Sequence, residues 1–134
     1  MTDFLEPDAR VLQARAKWRF RGTVRPDFAL TPAQGQESVW DYPRPPLIEP
    51  DPRPIEVRFE DDAIASTASA VRVLETASPP TYYIPASDVR TDMLIASGSQ
   101  SNCEWKGIAV DFDLVDRAHS VAWSYQKIFP EFER

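Results

Sequence analysis

The stretch Tyr42-Pro43-Arg44-Pro45-Pro46-Leu47-Ile48-Glu49-Pro50-Asp51-Pro52-Arg53-Pro54 constrains the fold more than any other part of the chain. Each proline ring fixes φ, removes a backbone donor and pushes the residue before it out of the helical region. Six prolines within residues 43–54 therefore exclude a helix and predict an extended strap across a surface. Such a strap suits a ligand for a proline-recognising domain, or an ordered segment that packs its own Trp40 and Tyr42. The self-packing reading is preferred.

After the strap the pattern changes to period two. Ile55, Val57 and Phe59 alternate with Glu56, Arg58 and Glu60, as a half-buried strand requires. Asp61-Asp62 marks a turn, and Ala63 to Thr67 returns as the second arm of a hairpin. Val71 to Glu75 is predicted as a third strand and Thr81 to Ile84 as a short one stopped by Pro85. Asp88 opens a turn before Met93-Leu94-Ile95. Ile108, Val110, Phe112 and Leu114 then alternate with Ala109, Asp111 and Asp113, Asp116-Arg117 turns the chain, and Val121, Trp123 and Tyr125 return on one face. Upstream, Ala9 to Trp18 is predicted as a short helix with Asp8 as N-cap, followed by a loop marked by Pro26, Pro32 and Gly35. The pattern implies an all-β fold, a sandwich or partly open barrel of short antiparallel strands. Residues 1–36 form a basic arm and loop, and residues 37–134 a single domain.

Charge divides the chain in the same way. Residues 1–25 hold six basic groups against three acids, while the rest hold nine against eighteen. An acidic body repels phosphate polymers, so nucleic acid is not the expected partner of the domain. The basic arm suits a self-docked or solvated segment better than a nucleic-acid grip. No apolar run approaches the roughly 20 residues that span a bilayer, and the N-terminus lacks the pattern of a secretory signal. No membrane partner is expected. A lone cysteine, Cys103, fits a reducing cytoplasm. Oligomeric state is not readable from the residues.

Glycine-rich phosphate loops, paired CxxC and HExxH are absent. One Cys and one His cannot furnish the four ligands of a structural zinc site, so neither a metal nor a cofactor is expected.

Several ordered blocks nevertheless resemble one family. Gly35-Gln36-Glu37-Ser38-Val39-Trp40-Asp41-Tyr42-Pro43-Arg44-Pro45-Pro46 looks like its opening signature. Ala70-Val71-Arg72-Val73-Leu74-Glu75-Thr76, then Pro79-Pro80-Thr81-Tyr82-Tyr83-Ile84-Pro85 and Asp88-Val89-Arg90, resemble its central block. Cys103-Glu104-Trp105-Lys106-Gly107 and Ala122-Trp123-Ser124-Tyr125 resemble its closing blocks, and Lys17-Trp18-Arg19-Phe20-Arg21-Gly22 an extension that some members carry. The chain is thus similar to the "domain of unknown function 427" family over about residues 17–125. Glu104-Trp105 stands where the family usually has Pro-Phe. The resemblance implies a zinc-free, β-tent-like fold, of the general architecture of methionine sulfoxide reductase B and the thalidomide-binding domain of cereblon. It implies no reaction.

The polar residues of these blocks define the candidate site. Arg72 and Glu75 lie three apart in an apolar strand, hence on opposite faces. A charge there must be paired or face a cavity. Arg72 is read either as an anchor for an anionic ligand or as a structural ion pair. Lys106 suits a ligand-contacting cation, with Gly107 letting a backbone approach. Cys103 is either a thiolate favoured by that ammonium or a small buried hydrophobe. Trp40, Trp105, Trp123, Tyr82 and Tyr83 supply aromatics, most of them for the core and two or three as cleft walls, and only one of the two tyrosines can face a given pocket.

The expected function is binding of a compact planar or anionic metabolite in a cleft lined by Trp40, Arg44, Arg72, Tyr82, Tyr83, Cys103, Trp105 and Lys106. An enzyme using the same cleft is the alternative, with Glu75 as general acid/base and Lys106 or Arg72 stabilising charge. A protein-interaction module using the strap or the arm is the second alternative.

Overall fold

The structure, a computed structural model, describes residues 3–133. It holds one helix, α1 (Ala9–Ala16), and eight strands: β1 (Leu47–Asp51), β2 (Ile55–Phe59), β3 (Asp62–Thr67), β4 (Ala70–Leu74), β5 (Thr81–Tyr83), β6 (Leu94–Cys103), β7 (Gly107–Leu114) and β8 (Ala118–Ile128). They form three antiparallel sheets, ordered β1-β4-β5, β2-β3 and β6-β7-β8, and none closes on itself. The fold is all-β.

The proline strap contributes a strand. β1 pairs along β4 with Pro50 opposite Val71, and β1 is the edge of its sheet, where a missing N–H costs no ladder bond. The core gathers around β4, whose Val71, Val73 and Leu74 are buried together with Ile64, Ala109, Leu114 and Phe132. Each such aliphatic side chain contributes about 1.5–3 kcal/mol by leaving water.

Asp8 caps α1 as its sequence predicts, its carboxylate accepting from the Val11 N–H at 2.9 Å. The basic arm docks on the body. Leu5 N donates to Ile128 O at the end of β8, and Arg15 Nε donates to Glu104 O at 2.6 Å. Gly22 lets the arm pass the strap, since a Cβ there would lie 2.8 Å from Tyr42 O.

Two alternation readings need correction. Val57 is 43 % exposed although its spacing places it inside, because its face of β2 lines an open groove with Ile55, Tyr82 and Ile84. In β7 the best-buried residues are Ala109 and Leu114, from opposite sides of the alternation. The register shifts against β8, between Ile108 and Ala109 and between Phe112 and Leu114, put the extra residues in β8, so β7 keeps its alternation and is covered on a different side at each end.

The backbone that approaches Gly107 belongs to β8. Its φ is +130°, and a Cβ would stand 2.1 Å from Lys127 O and 2.8 Å from Ile128 Cα. Gly107→Ala is therefore expected to cost about 3 kcal/mol in urea unfolding. Gly98→Ala meets no atom within 4 Å, and is expected to cost about 1 kcal/mol for its positive φ alone. Equal losses for the two would contradict the close approach.

Candidate functional site

The strap, the end of β4 and the β6–β7 turn converge on one carboxylate. Glu75 Oε1 accepts from Arg44 Nη1 at 2.5 Å, and Glu75 Oε2 accepts from Lys106 Nζ at 2.7 Å. Glu75 and Arg44 are buried and Lys106 is half-buried, with 14 % of its side chain exposed. Arg44 Nη2 also donates to Thr76 O at 2.9 Å, and the Thr76 hydroxyl donates to Tyr42 O. Thr76 N and Ala77 N reach Pro43 O and Val39 O. These bonds lock the strap against the segment leaving β4, so the Arg44 fork and the Glu75 carboxylate meet in a fixed geometry.

Lys106 stands at the edge of an aromatic shelf. Its Nζ lies 5.8 Å from the Tyr125 ring centroid. Tyr125 stacks on Tyr83 at 6.3 Å with an interplanar angle of 8°. Phe132 meets both rings edge-on, and Trp123 meets Tyr83 edge-on while donating its indole N–H to the Tyr83 hydroxyl at 3.3 Å. Cys103 closes the group, half-buried beside Tyr125.

Burial lowers the Lys106 pKa, but the Glu75 hydrogen bond and the nearby Cys103, Glu75 and Tyr83 raise it further, and the result lies above the ordinary lysine value. Lys106 is thus a cation at neutral pH. Burial pushes the Tyr83 hydroxyl up. Tyr125 goes up more strongly, through burial and then the negative charge of Cys103, Tyr83 and Glu75. Neither tyrosine is a ready nucleophile.

The shared hollow expected from the sequence divides in two. Arg72 opposes Glu49 and Tyr82 in register, on the face of the sheet away from Val71 and Tyr83. Its guanidinium donates to Glu37 at 2.8 and 3.1 Å and to Glu49 at 2.8 Å, which is the ion-pair reading. Tyr82 goes with Arg72, its hydroxyl accepting from Arg53 at 2.9 Å, and Tyr83 goes with Lys106. Trp40 lies elsewhere again, edge-on to Phe20 and Phe28. Trp105 is 3 % exposed and covered by the Arg15 guanidinium, 5.0 Å from its ring, so it is core and not a pocket wall.

Of the expected residues, Arg44, Glu75, Tyr83, Cys103 and Lys106 come together. Trp123, one of the aromatics weighed from the sequence but left out of the expected cleft, joins them, as do Tyr125 and Phe132, which were not named as site residues. The Val121-Trp123-Tyr125 alternation was the signal for the first two.

Two open grooves lie apart from this cluster. One, of about 770 Å³, runs along β1 past Pro46, Leu47, Pro50 and Ala68 to Val71, with Glu131 and Glu133 at its rim. The other, of about 490 Å³, is lined by Arg53, Pro54, Ile55, Val57, Tyr82 and Ile84. Among the described residues no three of His, Cys, Asp and Glu converge as metal ligands, and no helix is long and apolar enough to cross a membrane.

The raised tyrosines link stability to alkaline pH. In the folded chain Tyr83 and Tyr125 keep their protons where an unfolded tyrosine, at about 10, has lost them. The folded state then binds more protons, so stability falls as pH rises above about 10. Tyr125→Phe is expected to flatten this alkaline decline in melting temperature between about pH 9.5 and 11.5. It should also remove a late step from tyrosinate absorbance at 295 nm. An unchanged titration would contradict the burial of that hydroxyl.

Comparison with known proteins agrees with this geometry in extent. No curated protein matches the chain. The model of the Domain of unknown function (DUF427) family matches residues 47–134, from β1 to the end of the chain, and so takes in Glu75, Tyr83, Cys103, Lys106 and Tyr125. Arg44, Trp40 and the basic arm precede the matched span. On a match to well over half of its length, the chain belongs to the DUF427 family.

Proposed function

We propose that the Lys106 cluster binds a compact, planar small molecule bearing an anionic or carbonyl group. The observation that carries this reading is the ammonium of Lys106 held by Glu75 at the rim of the Tyr83–Tyr125 stack, beside a Trp123 that is 50 % exposed. Arg44 and Lys106 share Glu75 and both feel Glu104, so the local charges balance and an acceptor group would be drawn by the Lys106 ammonium's own charge. An exposed indole next to that charge suits a flat ring with one acceptor group, the usual make-up of a small-molecule site.

Binding accounts for the residues better than catalysis by Glu75. A general base needs a free lone pair within reach of the substrate proton. Glu75 is the shared counter-charge of two cations, and taking up a substrate proton would leave both of them buried without it. We also read the β1-β4-β5 and β6-β7-β8 sheets, joined through the Tyr83–Tyr125 stack, as the tent-like arrangement that the family resemblance implies.

A thermal-shift screen of aromatic carboxylates, phosphates and cyclic imides is the test. At least one compound is expected to raise the melting temperature of the wild type, to lose that effect in Lys106→Met and in Trp123→Ala, and to keep it in Arg72→Ala. A shift that survives Lys106→Met but disappears in Arg72→Ala would place binding on the opposite face of the sheet and sink the reading. A library without any shift would sink it too.

A further inference from the structure

The basic arm, which lies outside the matched family span, sets two of its side chains, Arg15 and Trp18, around the cluster. Arg15 donates from Nε to Glu104 O at 2.6 Å and from Nη1 to Glu131 Oε1 at 2.8 Å. Its guanidinium lies 5.0 Å from the Trp105 ring and 4.8 Å from the Phe129 ring. Trp18 donates from Nε1 to Glu104 Oε1 at 2.6 Å. Glu104 and Trp105 are the two residues between Cys103 and Lys106, so the arm grips the turn that carries the ammonium.

A second path is more direct. The Trp18 ring lies 3.3 Å from the guanidinium carbon of Arg44, face on. Arg44 holds Glu75 at 2.5 Å, and Glu75 holds Lys106 at 2.7 Å. The stack is more than incidental packing, because Arg44 Nε is buried with no hydrogen-bond acceptor. A guanidinium buried short of its full set of acceptors depends on an aromatic π face to offset its charge. Trp18 is that face.

We infer that Trp18 is a positioning residue for the Lys106 site: its ring fixes Arg44, Arg44 fixes Glu75, and Glu75 fixes the ammonium, so docking of residues 5–21 regulates how the site presents its charge. Its functional meaning rests on the proposed small-molecule binding, but the contact relay stands or falls without any ligand. A docked arm gives an ordered ammonium, one N–H held by Glu75 and the other two left for a ligand beside the aromatic shelf. An undocked arm lets Arg44 leave the carboxylate and lets Lys106 wander.

The test reads Lys106 alone. The chain has three lysines, Lys17, Lys106 and Lys127, so the Lys106 ¹⁵N ammonium signal of labelled full-length protein is assignable with Lys106→Arg. The measured quantity is the exchange rate of the Lys106 ammonium protons with water at neutral pH. Trp18→Phe and Trp18→Leu both lose the bond to Glu104 and keep apolar bulk, and only phenylalanine keeps a ring over Arg44. Trp18→Leu is expected to speed exchange by about tenfold or more, with Trp18→Phe within about threefold of wild type.

Arg44→Lys keeps the charge but not the planar stack, and is expected to behave like Trp18→Leu. That variant keeps the test open should Trp18→Leu not fold. Equal exchange in Trp18→Leu and Trp18→Phe, or wild-type exchange in Arg44→Lys, would overturn the inference. A barren ligand screen with the predicted exchange pattern would overturn only the binding proposal.

Discussion

Glu75 accepts one cation on each carboxylate oxygen, and the rest of the molecule is arranged around that fact. Arg44 arrives from the strap and Lys106 from the β6–β7 turn, 31 residues away on either side. The carboxylate sits one residue beyond β4, the strand at the centre of its sheet. Taking three charges out of water costs several kcal/mol per ion, and only good geometry with full hydrogen bonding recovers it. Here both Glu75 oxygens and two of the three Arg44 nitrogens have partners, while the third nitrogen is covered by the Trp18 ring. Removal of the carboxylate would leave two cations facing one another in a poorly solvated space.

The same arrangement explains why the two faces of the β1-β4-β5 sheet behave differently. On the Arg72 face the charges neutralise one another at the surface: Glu37 and Glu49 are about half exposed, and such pairs contribute little to stability. On the Glu75 face the charge is buried, held between Arg44, Lys106 and the carboxylates of Glu75 and Glu104, and bordered by rings. Arg72 therefore serves the ion-pair role that its sequence context allowed, and Lys106 retains the features of an anchor. Lys106 cannot be considered apart from the arm, because the Arg44 and Glu104 contacts bring residues before the family span into its surroundings.

Much of the fold was legible because period two is a local signal. The hairpins at β2–β3 and β7–β8, the short β5 and the Asp8-capped helix all follow from spacing and turn residues. The strap was legible as extended but not as strand β1, since its prolines mask the alternation. Alternation tells which residues share a face of β2 or β7 but not what covers that face, so the exposure of Val57 and the burial of both Ala109 and Leu114 depend on tertiary packing. That Tyr82 and Tyr83 point opposite ways was readable; which of them faces Lys106 depends on pairing across to Arg72 and Val71. Partner choice over long separations was not readable. Nothing local says that Trp18 meets Glu104, 86 residues on, or that Glu75 prefers Arg44 and Lys106 over other cations.

A double-mutant cycle between Glu75→Gln and Lys106→Met, read by urea unfolding, tests the central carboxylate most directly. If the buried pair organises the site, the two changes are coupled by about 1.5–3 kcal/mol, because either one alone strands its partner. Additivity to within about 0.5 kcal/mol would mean that Lys106 and Glu75 are merely neighbours, and the site would lose its foundation.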